Sequence, residues 1–526
     1  MRKKHFLFAS VLALLCGSSA LHAQDFKLTS SGYFKNQGVD IMAFDDIYPE
    51  GHQGGVCIIM NGHRVATNGD IRLEATPGQW QPVPKQLDRK LGDNSITATL
   101  CYPDSSRHLT GFNPMIYPDL HLIYTVNVES KGKNIEVTVD LDRPIPQEFI
   151  GKVGFNLEFF PGSLFGKPWI MDGQSGIFPQ QPNSPLMTTQ PNYLHTGNYH
   201  DGKQSLADMD KLIGKGYSPI VADDIISEPY AKGRKFTSRP DDPYNKVTIE
   251  SLSGDLQLFD GRMNHNNGWF VLRSNIKPGV TKGAVKWIIT PNVVADWMYQ
   301  PVIQTSQIGY HPAQDKEAVI EMDIRDNRKE TAQIIRIDAD GEKVVKNVTP
   351  ANWGKFLRYN YLKVDFTDVK EPGLYKIKYD TSVSPIFRID NDVYARGVWQ
   401  PVLEYFLPVQ MCHMRVNEKY RVWHDCCHMD DAQMAPAHNH IDGYDQKEGL
   451  SKFKPGEVVP GVNIGGWHDA GDFDLRIESQ AGESYILALA YEAFHPNLDV
   501  TSIDQINRVT EIHQPDGKND LLQQVE

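Results

Sequence analysis

The ten residues "GGWHDAGDFD" (465–474) place a Trp, a His and three carboxylates among three glycines. Glycine costs up to about 1 kcal/mol inside a helix, and so many charges do not suit a core strand. The stretch therefore predicts a bent loop on which side chains converge. Asp469 and Asp472 can face one pocket, where one carboxylate takes a proton from a water molecule and the other orients that water. The alternative is an Asp-rich turn, because Asp and Gly dominate turns.

A second group of side chains suits a metal ion. Cys412, Cys427 and His428 lie in "MCHMRVNEKYRVWHDCCHMDDA" (411–432) and offer two thiolates and an imidazole. One further ligand would complete a tetrahedral zinc site of structural type. The alternative is a set of free thiols beside ordinary surface histidines, since the spacing matches no common zinc finger. The candidates for the fourth ligand are His438, His440 and His468.

The part of the chain before about residue 300 is predicted to be β-rich. Apolar and polar residues alternate with period two in several segments, which is typical of half-buried strands. Gly132, in "KGK", predicts a hairpin turn between two of them. A sheet-based domain of the sandwich type is therefore expected over residues 24–300. The alternating segments are "NSITATLCY", "LIYTVNVES", "NIEVTVDLD" and "KVGFNLEFF".

Residues 301–390 predict a second, smaller β-sandwich. Short strand patterns alternate with turn signals over about ninety residues, a length that suits one immunoglobulin-like module. Pro372 and Gly373 supply the bend before one of these strands. The strand patterns are "KEAVIEMDI", "AQIIRIDAD", "YLKVDFTDV", "GLYKIKYD" and "PIFRID".

After Asp390 the pattern becomes helical. Residues 391–412 carry apolar side chains at helical spacing, and "AGESYILALAYEAF" (481–494) predicts a helix with a buried face. "GKNDLLQQVE" at the end of the chain predicts the start of another helix, capped by Asn519 or Asp520. That helix is expected to lack its packing partners, so the chain is predicted to be incomplete at its C-terminus. The apolar residues at helical spacing in the first segment are Val393, Val398, Val402, Tyr405, Phe406 and Val409, and those available for burial in the second are Ile486, Leu487, Leu489, Ala490 and Ala493.

The composition and the N-terminus restrict the class of protein. The chain has 526 residues and a net charge of −13, which argues against a nucleic-acid-binding protein. A basic start, an apolar run over residues 6–15 and small residues before Ala20 or Ala23 are typical of a secretory signal peptide (1–23). A membrane span is less favoured, because the apolar run is shorter than the ~20 residues that a span needs. Five of the six cysteines remain after Cys16 leaves, and an odd number does not suit a disulfide framework.

From Pro301 onward the chain resembles glycoside hydrolase family 9, the inverting cellulases, in the subgroup with an N-terminal immunoglobulin-like domain. The resemblance covers about 225 residues, and its segments occur in the family's order. It implies that residues 391–526 form the start of an all-α (α/α)6 barrel. The matching segments are "TSQIGYHP" with Lys316, "EPGLYKIKY", "VLEYFLPVQMCH", "GGWHDAGD" and "KNDLLQQVE".

The resemblance also implies roles for the loop residues. Asp472 would be the general base that deprotonates the attacking water, and Asp469 would help to hold that water. The general acid, a Glu in the family, would lie beyond Glu526. Trp467 would either stack on a sugar ring or pack the loop. The family usually continues with a Lys-Tyr pair, whereas this chain has "FDLRIES", so Asp474 and Arg476 depart from the pattern.

Zinc-bearing members of the family use a Cys, a Cys-His pair and a His. These match Cys412, Cys427, His428 and His468, so the resemblance implies a structural zinc that ties the base loop to the first helix.

The sequence thus predicts a secreted or periplasmic enzyme that cleaves β-1,4-glucan or a related β-glucan by inversion, with no nucleic-acid partner and no membrane span. Two other functions stay open. The chain could be a non-catalytic glycan-binding protein of the cell envelope, or a hydrolase in which zinc itself performs the chemistry. Two Cys and two His ligands leave no open position for that chemistry, which disfavours the last of these.

Overall fold

A computed structural model describes most of the chain. The predicted signal peptide, Asp472, Asp474, His438 and His440 lie outside the described residues. The described residues are 25–45, 54–74, 76–77, 84–102, 120, 122–182, 187–189, 225–263, 268–430, 432–434, 451–469 and 475–526.

The chain forms two compact units that divide between residues 299 and 300. The described residues of the first unit form β-strands and three short 3₁₀ helices, Gln147–Phe149, Pro161–Ser163 and Gly261–Met263. Its strands are β1 Lys27–Leu28, β2 Phe34–Asn36, β3 Val39–Ala43, β4 Val56–Met60, β5 His63–Leu73, β6 Lys85–Leu91, β7 Ser95–Cys101, β8 Ile123–Lys131, β9 Asn134–Leu141, β10 Val153–Phe159, β11 Pro168–Met171, β12 Gln174–Ile177, β13 Met187–Thr189, β14 Ile225–Ser227, β15 Ala231–Gly233, β16 Lys235–Ser238, β17 Val247–Ser251, β18 Leu256–Asp260, β19 Phe270–Asn275 and β20 Val285–Pro291.

Two nine-stranded sheets make up most of this unit. Their orders are β1-β2-β3-β4-β5-β10-β19-β18-β15 and β12-β11-β16-β17-β20-β9-β8-β7-β6, and β13 pairs with β14 separately. One hydrophobic core draws residues from both sheets. Phe155 on β10 meets Trp287 on β20 edge to face, with ring centroids 4.9 Å apart. The unit is therefore a large β-sandwich.

The period-two segments of the sequence all form strands here. β7, β8 and β9 alternate buried and half-buried side chains, as a strand with one face on a core must. The β8–β9 hairpin pairs Lys131 with Asn134 around Gly132, whose φ of 67° is unfavourable for residues with a Cβ. The predicted hairpin turn is confirmed.

A buried polar cluster, the Glu74–Arg273 network, joins β5, β10 and β19. The Arg273 guanidinium lies 3.1 Å from the Glu74 carboxylate, and both side chains are 1% exposed. Asn156 donates to the same Glu74 oxygen at 2.6 Å, and the Tyr124 hydroxyl donates to Asp70 at 2.9 Å. Burial raises the pKa of Glu74 to about 7, although Arg273 opposes the rise, and burial raises the pKa of Asp70 to about 6.

The second unit begins with two small antiparallel sheets, ordered β21-β22-β26-β25 and β24-β23-β27-β28, with β29 also paired to β27. They share a core that includes Ile320, Ile334 and Phe387. This is the β-sandwich that the sequence predicted for residues 301–390. Its strands are β21 Val302–Gln304, β22 Glu317–Asp323, β23 Ala332–Asp338, β24 Gly341–Val348, β25 Ala351–Phe356, β26 Tyr359–Asp365, β27 Gly373–Tyr379, β28 Ser382–Val383 and β29 Phe387–Ile389.

The remaining residues combine short helices with a four-stranded sheet, ordered β31-β30-β33-β32. The (α/α)6 barrel is not formed by the described residues, which are mostly strands and loops. The elements are a π-helical turn Val402–Phe406, α1 Leu407–Gln410, β30 Arg415–Glu418, β31 Arg421–His424, α2 Ile477–Phe494, β32 Thr501–Asp504, β33 Val509–Ile512 and α3 Asp520–Val525.

Two helix predictions need correction. Residues 391–399 form turns, and helical structure begins only around Pro401, because Pro lacks the N–H that a helix interior requires. The predicted buried face of α2 is also partly wrong. Ile486 and Leu489 are 64% and 49% exposed, since no described element packs over them.

Candidate metal centre and base loop

The loop that carries "GGWHD" is held against the end of α1. α1 ends at Gln410, and the next residue, Met411, forms an isolated antiparallel bridge with Trp467. The Cys412 N–H donates to the Gly466 carbonyl, and the His468 N–H donates to the Gln410 carbonyl, each at 2.8 Å. These backbone bonds bring Cys412 and His468 to the same place, although 56 residues separate them in the sequence.

The two glycines of the loop are required by its backbone. Gly465 and Gly466 have φ values of 68° and 86°, a region that residues with a Cβ rarely adopt. A Cβ at Gly466 would also lie 2.6 Å from the Gln480 side-chain oxygen, so that side chain would have to shift. The positive φ values are therefore the main reason that the loop favours glycine at these positions.

Cys412, Cys427, His428 and His468 form one group, the Cys/His cluster. One ligand atom from each residue lies within 4.8 Å of every other. The two sulfur atoms are 3.7 Å apart, Cys412 Sγ is 3.1 Å from His428 Nδ1, and Cys427 Sγ is 3.1 Å from His468 Nε2. With Zn–S bonds of about 2.3 Å in a tetrahedron, two thiolates lie about 3.8 Å apart. The donor set and the sulfur spacing therefore fit zinc.

The protonation of His468 also suits a metal ligand. Burial, together with the neighbouring imidazoles of His424 and His428, lowers the pKa of His468 to about 4. The ring is therefore neutral at pH 7, which is the form that binds a metal.

The sequence analysis missed His413, which supports the cluster. Its ring nitrogens lie 2.8 Å from the Gly465 carbonyl oxygen and 3.0 Å from the His428 carbonyl oxygen. It thus contacts two of the segments that carry ligands. His413 and His428 both adopt left-handed backbone conformations, with φ values of 61° and 54°. Strained backbone conformations of this kind are concentrated at functional sites. In the sequence, the signal that could have identified His413 was the Cys-His pair at 412–413, which is repeated at 427–428.

Of the two predicted catalytic residues, Asp469 lies within the described residues and Asp472 does not. Asp469 is exposed, and its carboxylate lies 3.0 Å from the Arg476 guanidinium. Arg476 is one of the two residues that depart from the resembled family, and it lies directly before α2. Asp472 lies outside the described residues, so its distance from Asp469 stays a prediction.

Trp467 lies in the core of this part of the molecule and is 6% exposed. Its indole N–H donates to the Gln524 side chain on α3 at 2.8 Å, and the Gln480 side chain donates to its carbonyl. This placement fits the packing alternative, and the sugar-stacking role stays a prediction.

The Asn519 side chain accepts a bond from the Leu521 N–H, so Asn519 caps α3 as one of the two predicted capping residues.

Comparison with known protein families gives a match over the small sandwich. Residues 298–384 match the family described as the cellulase N-terminal Ig-like domain. The match confirms the resemblance that the sequence motifs indicated, for a chain with an Ig-like domain of the kind found in family 9 cellulases.

Three solved structures of family 9 proteins were also similar. A zinc-binding triple mutant of the endoglucanase J30 is 23% identical with a TM-score of 0.30, covering 41% of this chain and 37% of that one. A family 9 protein of Bacteroides ovatus is 20% identical with a TM-score of 0.31, covering 43% of this chain and 37% of that one. J30 itself is 22% identical with a TM-score of 0.30, covering 41% of this chain and 37% of that one. The present chain thus spans little more than a third of each relative. TM-scores this low do not establish a shared fold.

No curated protein matches the chain. Within the described residues, the helices are all too short or too polar to cross a membrane.

Proposed function

We propose that the protein is a family 9 glycoside hydrolase that cleaves β-1,4-glucan, or a related β-glucan, with inversion. The observation that carries the proposal is the match of residues 298–384 to the Ig-like domain of cellulases. The Gly-rich loop with Asp469 follows that domain on the same chain, bound to the end of α1. Residues 391–526 would contribute to the helical barrel of the family.

The loop carboxylates would activate the attacking water. Asp472 takes a proton from the water as its oxygen bonds to the anomeric carbon, and Asp469 holds the water in place. In inverting enzymes the acid that protonates the leaving oxygen lies about 6.5–9.5 Å from the base, which leaves room for the water. The proposal assigns no residue to that acid.

The Cys/His cluster would bind zinc through Cys412, Cys427, His428 and His468. Four protein ligands leave no open position, so the ion would be structural and supply folding energy rather than a nucleophile. Because Asp469 follows His468 directly, these ligands would hold the water-binding carboxylate in a fixed position relative to α1.

Export would follow from the N-terminal signal. Cleavage after Ala20 or Ala23 would release the protein outside the cytoplasm, where a polysaccharide is accessible. The N-terminal sequence of the protein purified from its natural source tests this directly, and an intact Met1 would contradict it.

The decisive experiment uses the protein expressed from its own gene in its source organism. We expect reducing sugar to be released from amorphous β-1,4-glucan, with the α-anomer as the first product by NMR. Asp472→Asn should lower kcat by at least 10²-fold, since general-base catalysis contributes roughly that much. Asp474→Asn provides the matched control in the same loop and should retain activity.

A different result would favour the glycan-binding alternative. If the protein releases no sugar, binds β-glucan, and keeps that affinity in the Asp472→Asn variant, the hydrolase proposal is wrong.

A further inference from the structure

The Cys/His cluster contains a pair of thiols close enough to react with each other. Cys412 Sγ and Cys427 Sγ lie 3.7 Å apart, and a disulfide bond needs about 2.0 Å. Cys412 is fully buried at the end of α1, whereas Cys427 is half-buried and can be reached from solvent. An oxidant can therefore reach one sulfur, and the other is positioned to complete the reaction.

The neighbouring groups favour the same two sulfurs. His428 Nδ1 and His468 Nε2 each lie 3.1 Å from one of them, so the four donor atoms face one another. The adjacent Cys426 is exposed, and its sulfur lies 3.9 Å from the Arg508 carbonyl oxygen, outside the cluster. The geometry thus selects Cys412 over Cys426 as the partner of Cys427.

We propose that Cys412 and Cys427 form a reversible disulfide whenever the cluster holds no metal, so that zinc and the disulfide exclude each other. The metal half of this inference rests on the zinc site proposed above. The disulfide half stands on the positions of the two sulfurs alone.

Oxidation requires a small disulfide such as oxidised glutathione. The Cys427 sulfur attacks one glutathione sulfur, forms a mixed disulfide and releases the first glutathione as a thiol. The Cys412 sulfur then attacks Cys427 Sγ, forms the internal disulfide and releases the second glutathione thiol. Each cysteine proton ends on a released glutathione, and the two electrons lost by the cysteines reduce one glutathione disulfide.

The disulfide would disconnect the base loop from its metal. A disulfide removes two of the four ligands, so zinc cannot bind again until a thiol reductant restores them. The His468 side chain then has no metal to link it to α1, although the backbone bond from the His468 N–H to the Gln410 carbonyl remains. Because Asp469 follows His468 directly, oxidation would remove the side-chain link that fixes the proposed water-binding carboxylate.

The test uses the full chain, stripped of metal with a chelator and then exposed to oxidised glutathione. We expect peptide mapping to find a cross-link between Cys412 and Cys427, and zinc uptake to return only after dithiothreitol is added. In protein preloaded with zinc, both cysteines should stay reduced and should react with an alkylating agent once the metal is removed under denaturing conditions. Cys426→Ser should form the same cross-link, whereas Cys412→Ser should stop at the mixed disulfide of Cys427.

Distinct results would overturn each half. A cross-link that uses Cys426, or full alkylation of Cys412 after oxidation of the metal-free chain, would refute the disulfide. Equal cross-linking with and without bound zinc would refute the mutual exclusion. If the chain binds no zinc but still forms the Cys412–Cys427 bond, the metal site is wrong while the disulfide stands. Because wild type and Cys426→Ser decide these outcomes, misfolding of Cys412→Ser does not affect them.

Discussion

Two polar clusters among the described residues, the Glu74–Arg273 network and the Cys/His cluster, are of opposite kinds. In the Glu74–Arg273 network, each donor faces an acceptor: the guanidinium and an amide meet one carboxylate, and a phenol meets another. In the Cys/His cluster, sulfur and nitrogen atoms that all offer lone pairs face one another. The hydrogen-bonding groups of the first cluster are thus satisfied by other protein groups, whereas the lone pairs of the second cluster would be stabilised most by a bound cation.

This difference predicts different responses to perturbation. A self-satisfied network fails when one partner is removed, because the other is left buried with its charge uncompensated. A cluster of ligands instead fails when its ion is removed, because binding energy and folding energy are linked. The stability of the first unit should thus respond to substitutions in its network, whereas the stability of the second unit should respond to the zinc concentration of the solution.

The largest effect is expected from Arg273→Met in the first unit. Removing one partner of a buried ion pair costs about 3–5 kcal/mol of the free energy of unfolding. Hydrogen exchange of β10 peptides in increasing urea would measure the loss. Arg143→Met is the control, because the Arg143–Asp142 pair is solvent-exposed and should contribute less than about 1 kcal/mol. Equal costs for the two variants would contradict a role for burial.

Zinc should stabilise the second unit and leave the first unchanged. At a free zinc concentration 100-fold above Kd, binding adds about 2.7 kcal/mol to the free energy of unfolding. Hydrogen exchange of peptides around Cys412 and of β10, with zinc and with chelator, would separate the two units. Cys427→Ser should abolish the response, and Cys426→Ser should retain it. A zinc response in β10 would show that the contrast between the units is wrong.

The clusters also differ in how far the sequence revealed them. Period-two alternation predicted β7 to β10, because one face of each strand packs on a core. Cys412, Cys427, His428 and His468 were found because their chemistry is unusual. Their convergence follows from backbone pairing between 410–412 and 466–468, which no local pattern encodes.

The Glu74–Arg273 network was not predicted at all. Its two charged residues are 199 positions apart, and a single Glu in a β-rich segment is indistinguishable from a surface residue until the strand order is known. The buried face of α2 was predicted from helical spacing, yet spacing shows which side chains share a face and not whether a neighbour covers it. Ile486 is therefore exposed despite its favourable pattern.

A smaller effect concerns pH and acts on the first unit. The folded-state pKa of Glu74, about 7, lies above its ordinary value of 4.5. Its stabilising contribution is therefore complete below pH 4.5 and is lost as the pH rises towards 7. Over this window the free energy of unfolding should fall by up to about 1.4 kcal/mol per pH unit for one such group. Urea unfolding at several pH values would measure the slope.

Two variants sharpen this measurement. Glu74→Gln has no carboxyl to titrate, so it should remove the slope between about pH 6 and 7 and reduce it below pH 6, where Asp70 still titrates. Asp70→Asn should reduce the slope only below about pH 6, where the folded-state pKa of Asp70 lies, and leave the slope from Glu74 above it. A stability that rises through this window in the wild-type protein would contradict the raised pKa of Glu74.

The smallest effect should come from the exposed counterpart of the buried ion pair. Arg476 and Asp469 lie 3.0 Å apart, nearly the separation of Arg273 and Glu74, but their side chains are 45% and 30% exposed. Water screens both charges, so Arg476→Gln should change the free energy of unfolding by less than about 1 kcal/mol, as urea denaturation would measure. Arg476→Lys, which keeps the charge, is the matched control. If Arg476→Gln proved as costly as Arg273→Met, burial would not distinguish the two pairs, and the base loop would depend on Arg476 for its fold.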